Sequence, residues 1–207
     1  MPRLLLVFAH PAYDHSRVHR HLLQYLPDDL HLTFRDLYEL YPDFYIEIEE
    51  EKQLLRDHDI VIWQHPLYWY SCPPLLKQWI DLVLEFGWAY GPGGFALKGK
   101  RLLQVLSTGG GRHAYQPDGF HRHTLRQFLI PFERTAHLCG MEYLPPFVAF
   151  GAHRLTDRTL FDLSLDYARL LRHLMDDEDG SFVQALMRCE YANDCLPTLH
   201  PTLPSTS

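Results

Sequence analysis

Five short apolar runs punctuate the chain: Leu4–Phe8, Leu32–Leu37, Ile60–Trp63, Leu102–Leu106 and Phe147–Phe150. The first, third and fourth lack polar alternation, the signature of strands covered on both faces. Stretches of helical period separate them. Val18, Leu22, Tyr25 and Leu26 repeat at 3.6 spacing after Ser16, a good cap residue. The acidic run Glu47–Glu51 favours a helix N-terminus and leads into Leu54 and Leu55. Pro73-Pro74 opens a stripe of Leu75, Leu76, Trp79, Ile80 and Val83. Leu125, Phe128, Leu129 and Phe132 predict a helix that Pro131 kinks. Leu160, Leu163, Tyr167, Leu170, Leu171 and Leu174 make the longest stripe.

Strands alternating with helices imply parallel pairing through right-handed crossovers. Five such units within about 175 residues predict an α/β fold: a doubly wound five-stranded parallel sheet, order 2-1-3-4-5, flavodoxin-like, with helices on both faces. Residues 1–175 form this domain. Residues 176–207 change character and are expected to be an extension, partly helical or flexible. They hold the acidic run Asp176–Asp179, a short helix near Phe182–Cys189 and a Pro/Thr/Ser tail. In such a sheet the ligand lies outside the carboxyl ends of strands 1 and 3, where the strand order reverses.

Three loops therefore carry the candidate chemistry. His10 to Ser16 leads from a strand into a helix N-terminus, which attracts an anion. By position alone, Ser16 either caps the helix or binds that anion, and His10 either packs or donates. His65 to Pro74 holds three consecutive aromatics, Tyr68-Trp69-Tyr70, which suit a flat ring or plug the sheet edge. Ser107-Thr108-Gly109-Gly110-Gly111 follows a strand and allows close backbone approach, though glycine clusters also simply turn chains.

Composition narrows the rest. Apolar residues are 46% and charged residues 22% of 207, and the net charge is −7, so no basic field recommends nucleic acid. No signal peptide or membrane span is legible, and the expected location is cytoplasmic. Cys72, Cys139, Cys189 and Cys195 suit neither a zinc knuckle nor a disulfide scaffold. Of the 14 histidines, His10, His65 and His121 fall near the ligand edge, without the spacing or carboxylate of a metal site. His19, His21, His31, His58, His153, His173 and His200 read as surface positions. Gly94–Lys100 fits G-x-x-x-x-G-K, but Arg101 replaces Ser or Thr and the segment precedes a strand, which argues against a nucleotide P-loop.

Several segments resemble the FMN-dependent NAD(P)H:quinone oxidoreductase family, and within it the ancillary subunits of glutathione-regulated potassium-efflux systems. They are AHP-x4-S at Ala9–Ser16, LYPDF at Leu40–Phe44, QHPLYWYSCPPLLKQWID at Gln64–Asp81, GWAYGPGG at Gly87–Gly94, STGGG at Ser107–Gly111 and CGMEYLPPF at Cys139–Phe147. The resemblance implies that His10 and Ser16, with the backbone of Arg17, Val18 and His19, hold the FMN phosphate. It implies that Pro66, Leu67, Tyr68 and Trp69 line the isoalloxazine, and that Ser107, Thr108, Gly109 and Gly110 bond its pyrimidine edge. Tyr115 and His121 would be the catalytic pair facing the flavin. The implied reaction is ping-pong: NAD(P)H reduces bound FMN by hydride transfer, and a quinone or similar electrophile then takes the hydride. A homodimer is implied, with Leu67–Tyr70 and Phe86–Tyr90 as interface material. A second implied role is a peripheral regulatory subunit that activates a potassium-efflux antiporter at the inner membrane, compatible with the first. A one-electron flavodoxin fits less well, because those proteins have a hydroxyl-rich phosphate loop where this chain has His10-Pro11. Arg112 is a candidate for a 2′-phosphate, and no motif separates NADH from NADPH.

Overall fold

The computed structural model describes residues 1–196. In chain order the elements are β1 (Leu4–Phe8), α1 (Arg17–Gln24), β2 (Leu32–Asp36), α2 (Leu37–Leu40), α3 (Ile48–Asp57), β3 (Ile60–Pro66), α4 (Pro74–Val83) and β4 (Arg101–Ser107). They continue with α5 (Leu125–Phe128), α6 (Ile130–Leu138), β5 (Glu142–Tyr143), β6 (Phe147–Ala149), α7 (Asp157–Asp176), α8 (Ser181–Leu186) and α9 (Ala192–Cys195). All strand pairings in the sheet are parallel, in the order β2-β1-β3-β4-β5, with β6 also pairing β4.

The fifth strand position is thus filled twice. Glu142–Tyr143 pairs with Arg101 and Leu102, and Phe147–Ala149 pairs with Val105, Leu106 and Ser107. Pro145 and Pro146 lie between the two pieces, and proline cannot donate to a ladder. The other boundaries shift for similarly local reasons. Leu37 leaves β2 for α2 because the Asp36 side chain caps that helix at the amides of Tyr38 and Glu39. The helix expected to kink at Pro131 is two helices, α5 with a Thr124–Gln127 capping box and α6 with Pro131 in its first turn.

β1 is wholly buried, and its residues alternate between two cores. Leu5 and Val7 join Val61, Trp63, Leu102 and Leu106 beneath α3, α4 and α6. Leu4, Leu6 and Phe8 join Ile60, Ile62, Leu103 and Val105 beneath α1, α7 and α8. The acidic run before α3 does more than favour a helix start. Glu51 is completely buried and accepts hydrogen bonds from Arg35 at 2.7 Å, Tyr41 at 2.7 Å and the Trp79 indole at 2.9 Å. β2, α3, α4 and the residue that follows α2 meet at that carboxylate.

Residues beyond α7 pack on the second core through Val183, Leu186, Ala192 and Leu196. Asn193 holds the edge strand, accepting from the Val148 amide at 2.8 Å. The Pro/Thr/Ser tail, with His200, lies outside the described residues. Cys189 and Cys195 form a disulfide, which corrects the expectation that the cysteines suit no such pairing. Their separation of six residues gave no signal because the pairing needs the turn between α8 and α9. Cys72 and Cys139 are buried free thiols. Among the described residues no helix is long and apolar enough to cross a membrane.

Closing so short a loop constrains the unfolded chain by about 2 kcal/mol. Urea unfolding with dithiothreitol is therefore expected to give a stability lower by about that amount. The Cys195→Ser variant should show the lower value with and without reductant, and an unchanged midpoint in both would refute the coupling.

Candidate active site at the carboxyl edge of the sheet

Register aligns Pro66 with Ser107 and Ser107 with Ala149, so the loops that leave β3, β4 and β6 start side by side. The Leu67 amide donates to the Ser107 carbonyl at 2.8 Å, and the Thr108 amide to the Ala149 carbonyl at 3.1 Å. Between these loops and the β1–α1 loop lies a cavity of about 250 Å³. Its wall includes His10, Ser16, Arg17, Val18, Pro66, Leu67, Tyr68, Ser107, Thr108 and Gly109. Ten of the candidate binding residues therefore share one cavity. His19, Trp69, Gly110, Tyr115 and His121 are not among its lining residues.

The β1–α1 loop presents donors. The Ala12 amide donates to His10 Nδ1 at 3.1 Å, so the neutral ring carries its proton on Nε2. Burial lowers the His10 pKa, which favours that neutral form. Ser16 Oγ accepts from the His19 amide at 3.2 Å. It acts as the helix cap, and the amides of Arg17 and Val18 in the first turn have no intrahelical acceptor. The Arg17 guanidinium points elsewhere, to Asp157 at 2.6 Å.

Trp69 is 93% exposed and stands away from the cavity. Tyr68 and Ser71 bridge across a tight turn whose central residues, Trp69 and Tyr70, have φ of 49° and 63°. Two successive bulky residues in the left-handed region store strain on the order of 1–3 kcal/mol each. Beyond the glycines, Tyr115 and His121 stack with centroids 4.4 Å apart. They abut the glycine loop: a Cβ built on Gly110 would lie 3.1 Å from Tyr115 Cε2 and 3.3 Å from His121 Nε2. Burial raises the Tyr115 pKa, and His121 Nδ1 is buried without a hydrogen-bond partner among the described residues.

Two predicted surface histidines are buried. His19 is fully enclosed, and His58 bonds Thr33 at 2.7 Å and the Leu54 carbonyl at 2.6 Å. Helical phase turns His19 inward beside Val18 and Leu22, an orientation that the polar letter conceals. The cavity also takes in His15, Ala152 and His153, and the last two follow β6 at the same sheet edge. Strand order could have flagged that fourth loop. Arg112 is committed to Asp194 at 2.6 Å and Glu190 at 3.0 Å and stacks on Tyr191, so it is not free for a phosphate. Among the described residues no group of three His, Cys, Asp or Glu is arranged to hold a metal.

Two polar chains cross the buried sheet beneath this edge, one on each face. In the first, Tyr167 donates to Gln64 at 2.9 Å, Gln64 Nε2 lies 3.3 Å from His19 Nδ1, and His19 Nε2 lies 2.9 Å from Ser107 Oγ. In the second, Tyr143 donates to Gln104 at 2.5 Å, Gln104 Nε2 lies 3.1 Å from His65 Nε2, and His65 Nδ1 donates to the Pro66 carbonyl at 3.0 Å. His65 is thus a core residue of β3 and not a cavity group. Burial lowers its pKa to about 4.

The comparisons with known proteins agree with this architecture. A family model described as flavodoxin-like fold matches residues 2–171. The glutathione-regulated potassium-efflux system ancillary protein KefG of Yersinia pestis (strain Pestoides F) is 44% identical over 171 residues, 83% of this chain and 94% of that protein. The general stress protein 14 of Treponema denticola, solved in complex with FMN, is 38% identical with a TM-score of 0.78, covering 84% of this chain and 99% of that one. An NADPH-quinone reductase from P. pentosaceus is 31% identical with a TM-score of 0.74, covering 81% and 96%.

The low His65 pKa has a stability consequence. The unfolded chain binds a proton near the ordinary 6.5 and the folded chain near 4, so stability is complete above 6.5 and falls as pH drops toward 4. Across that window the loss from His65 is about 3 kcal/mol. Urea unfolding at a series of pH values should show the slope, and His65→Gln should flatten it; an equally steep variant would assign the effect elsewhere.

Proposed function

We propose that this chain, which belongs to the flavodoxin-like family, is an FMN-dependent NAD(P)H:quinone oxidoreductase. The observation that carries the reading is the single cavity at the carboxyl edge of β1, β3 and β4, with uncharged donors at one end and an apolar wall of Pro66, Leu67 and Tyr68. The residues fit FMN. His10 Nε2–H, the Ser16 hydroxyl and the Arg17 and Val18 amides suit its phosphate at the α1 N-terminus. Pro66, Leu67 and Tyr68 suit a flat ring, and Ser107, Thr108 and Gly109 suit the ring's polar edge. Gly110 leaves room where a Cβ would crowd Tyr115 and His121. Two relatives support the assignment: one was solved with FMN, and another is described as an NADPH-quinone reductase.

FMN would supply the chemistry, accepting a hydride from NAD(P)H and delivering it to a quinone or related electrophile. The protein's part is orientation and charge. The stiff Pro66 to Pro74 loop would wall the ring, and the glycine loop would bring backbone donors to its edge. Tyr115 and His121 are the candidate catalytic pair. His121, whose Nδ1 has no hydrogen-bond partner among the described residues, would stabilise the negative charge of the reduced cofactor. A homodimer is part of this reading. Trp69, Phe86, Phe95 and Phe120 are 93%, 68%, 66% and 85% exposed, a density of bare aromatics that suits a subunit interface. Residues 1–175 are the FMN-binding domain, and the segment from 176 is an extension that clasps its edge.

A second, compatible reading is that the protein binds and activates a potassium-efflux antiporter from the cytoplasmic face of the inner membrane. The 44% identity to an ancillary protein of such a system favours it.

Purified protein is expected to be yellow, or to become so with added FMN, and to turn over NAD(P)H when given a quinone. Colourless protein that FMN cannot reconstitute would overturn the reading. Ser16→Phe should weaken FMN retention at least tenfold by blocking the helix N-terminus, which equilibrium dialysis would measure; an unchanged affinity would reject that phosphate site. His121→Ala should slow hydride transfer in stopped flow by about tenfold to a hundredfold while FMN stays bound. An unaltered rate would make Tyr115 and His121 ordinary loop residues.

A further inference from the structure

The chain from Tyr167 to Ser107 has a direction, and its buried end sets it. Tyr167 is completely buried, and Gln64 is the only hydrogen-bond partner of its hydroxyl among the described residues. A buried phenol with one partner must donate, because accepting there would leave its own hydrogen unbonded in the core. Gln64 Oε1 is therefore the acceptor, and the amide is fixed with Nε2 toward His19. Nε2 only donates, so His19 Nδ1 must be bare. Burial holds the His19 pKa well below its usual value, and the neighbouring His10 and His65 add to the effect, so the ring is neutral. A neutral ring with bare Nδ1 carries its proton on Nε2 and donates it to Ser107 Oγ. Ser107 lines the cavity, and its hydrogen has no protein acceptor among the described residues.

We propose that Tyr167, Gln64 and His19 are positioning residues that together fix Ser107 as a hydrogen-bond donor to an acceptor atom of the bound flavin. This rests on the FMN reading of the cavity. The opposite polarity would spend the serine hydrogen on His19 and offer the cavity only a lone pair. The parallel chain through Gln104 and His65 ends on the Pro66 carbonyl and so confers no such donor.

Two measurements test the inference. The ligand-free protein, labelled with ¹⁵N at histidine, should show His19 protonated at Nε2 and bare at Nδ1, and Tyr167→Phe should convert it to a mixture of tautomers. FMN affinity should fall about threefold to tenfold in Tyr167→Phe and in Ser107→Ala, the equivalent of one hydrogen bond. Tyr167→Phe should cost nothing further when Ser107 is already alanine. A role confined to packing would instead give losses that add. Should Tyr167→Phe fail to fold, Gln64→Met interrupts the same chain. Wild-type His19 protonated at Nδ1, or additive losses, overturns the inference. Wild-type protein that takes up no FMN overturns the functional reading and flavin as the acceptor, while the tautomer still decides the polarity.

Discussion

A parallel sheet covered on both faces has no water to offer a polar side chain, and that constraint governs this protein. Gln64, His65 and Gln104 sit in β3 and β4 with no exposure at all. Each stays only because a partner from another element meets it: Tyr167 from α7 and His19 from α1 on one face, Tyr143 from β5 on the other. The price of an unmet buried amide exceeds the gain from a met one. These chains therefore specify how α1 and α7 seat on the sheet more than they add to stability. Because they end at Ser107 and at the Pro66 carbonyl, the packing of the core is carried directly to the edge where the cavity opens.

The same logic explains the buried carboxylate on the α3 and α4 face. Glu51 would be ruinous alone, yet Arg35, Tyr41 and Trp79 surround it. Removing any one leaves charge or polarity stranded, so the cluster pins β2, α3 and α4 together. Outside these networks the edge loops are free to carry function. The left-handed Trp69-Tyr70 pair is strained and exposed, which suits a segment finished by a ligand or a second subunit.

The segment beyond the family match adds a clasp. Arg112, next to the glycine loop, is gripped by Glu190 and Asp194 and covered by Tyr191, and the disulfide between Cys189 and Cys195 encloses those three residues. A guanidinium that might have served a ligand serves the extension instead. The clasp thus couples the C-terminal segment to the loop that follows β4.

The unalternated apolar runs, the helical stripes and the glycine cluster determined by themselves that this chain forms a doubly wound parallel sheet with its candidate loops at the carboxyl edge. Those signals are local, because period and backbone freedom need only neighbours along the chain. Eight of the ten candidate residues that line the cavity lie in the three loops those signals singled out, while Arg17 and Val18 were implied only by the family resemblance. Tertiary structure alone decided what pairs across long separations. Tyr167 reaches Gln64 across 103 residues and His19 reaches Ser107 across 88, so nothing in their own segments marks them as partners. The inward turn of His19, the burial of Glu51 and the commitment of Arg112 were illegible for the same reason. A polar letter reads as surface until packing supplies the group that satisfies it.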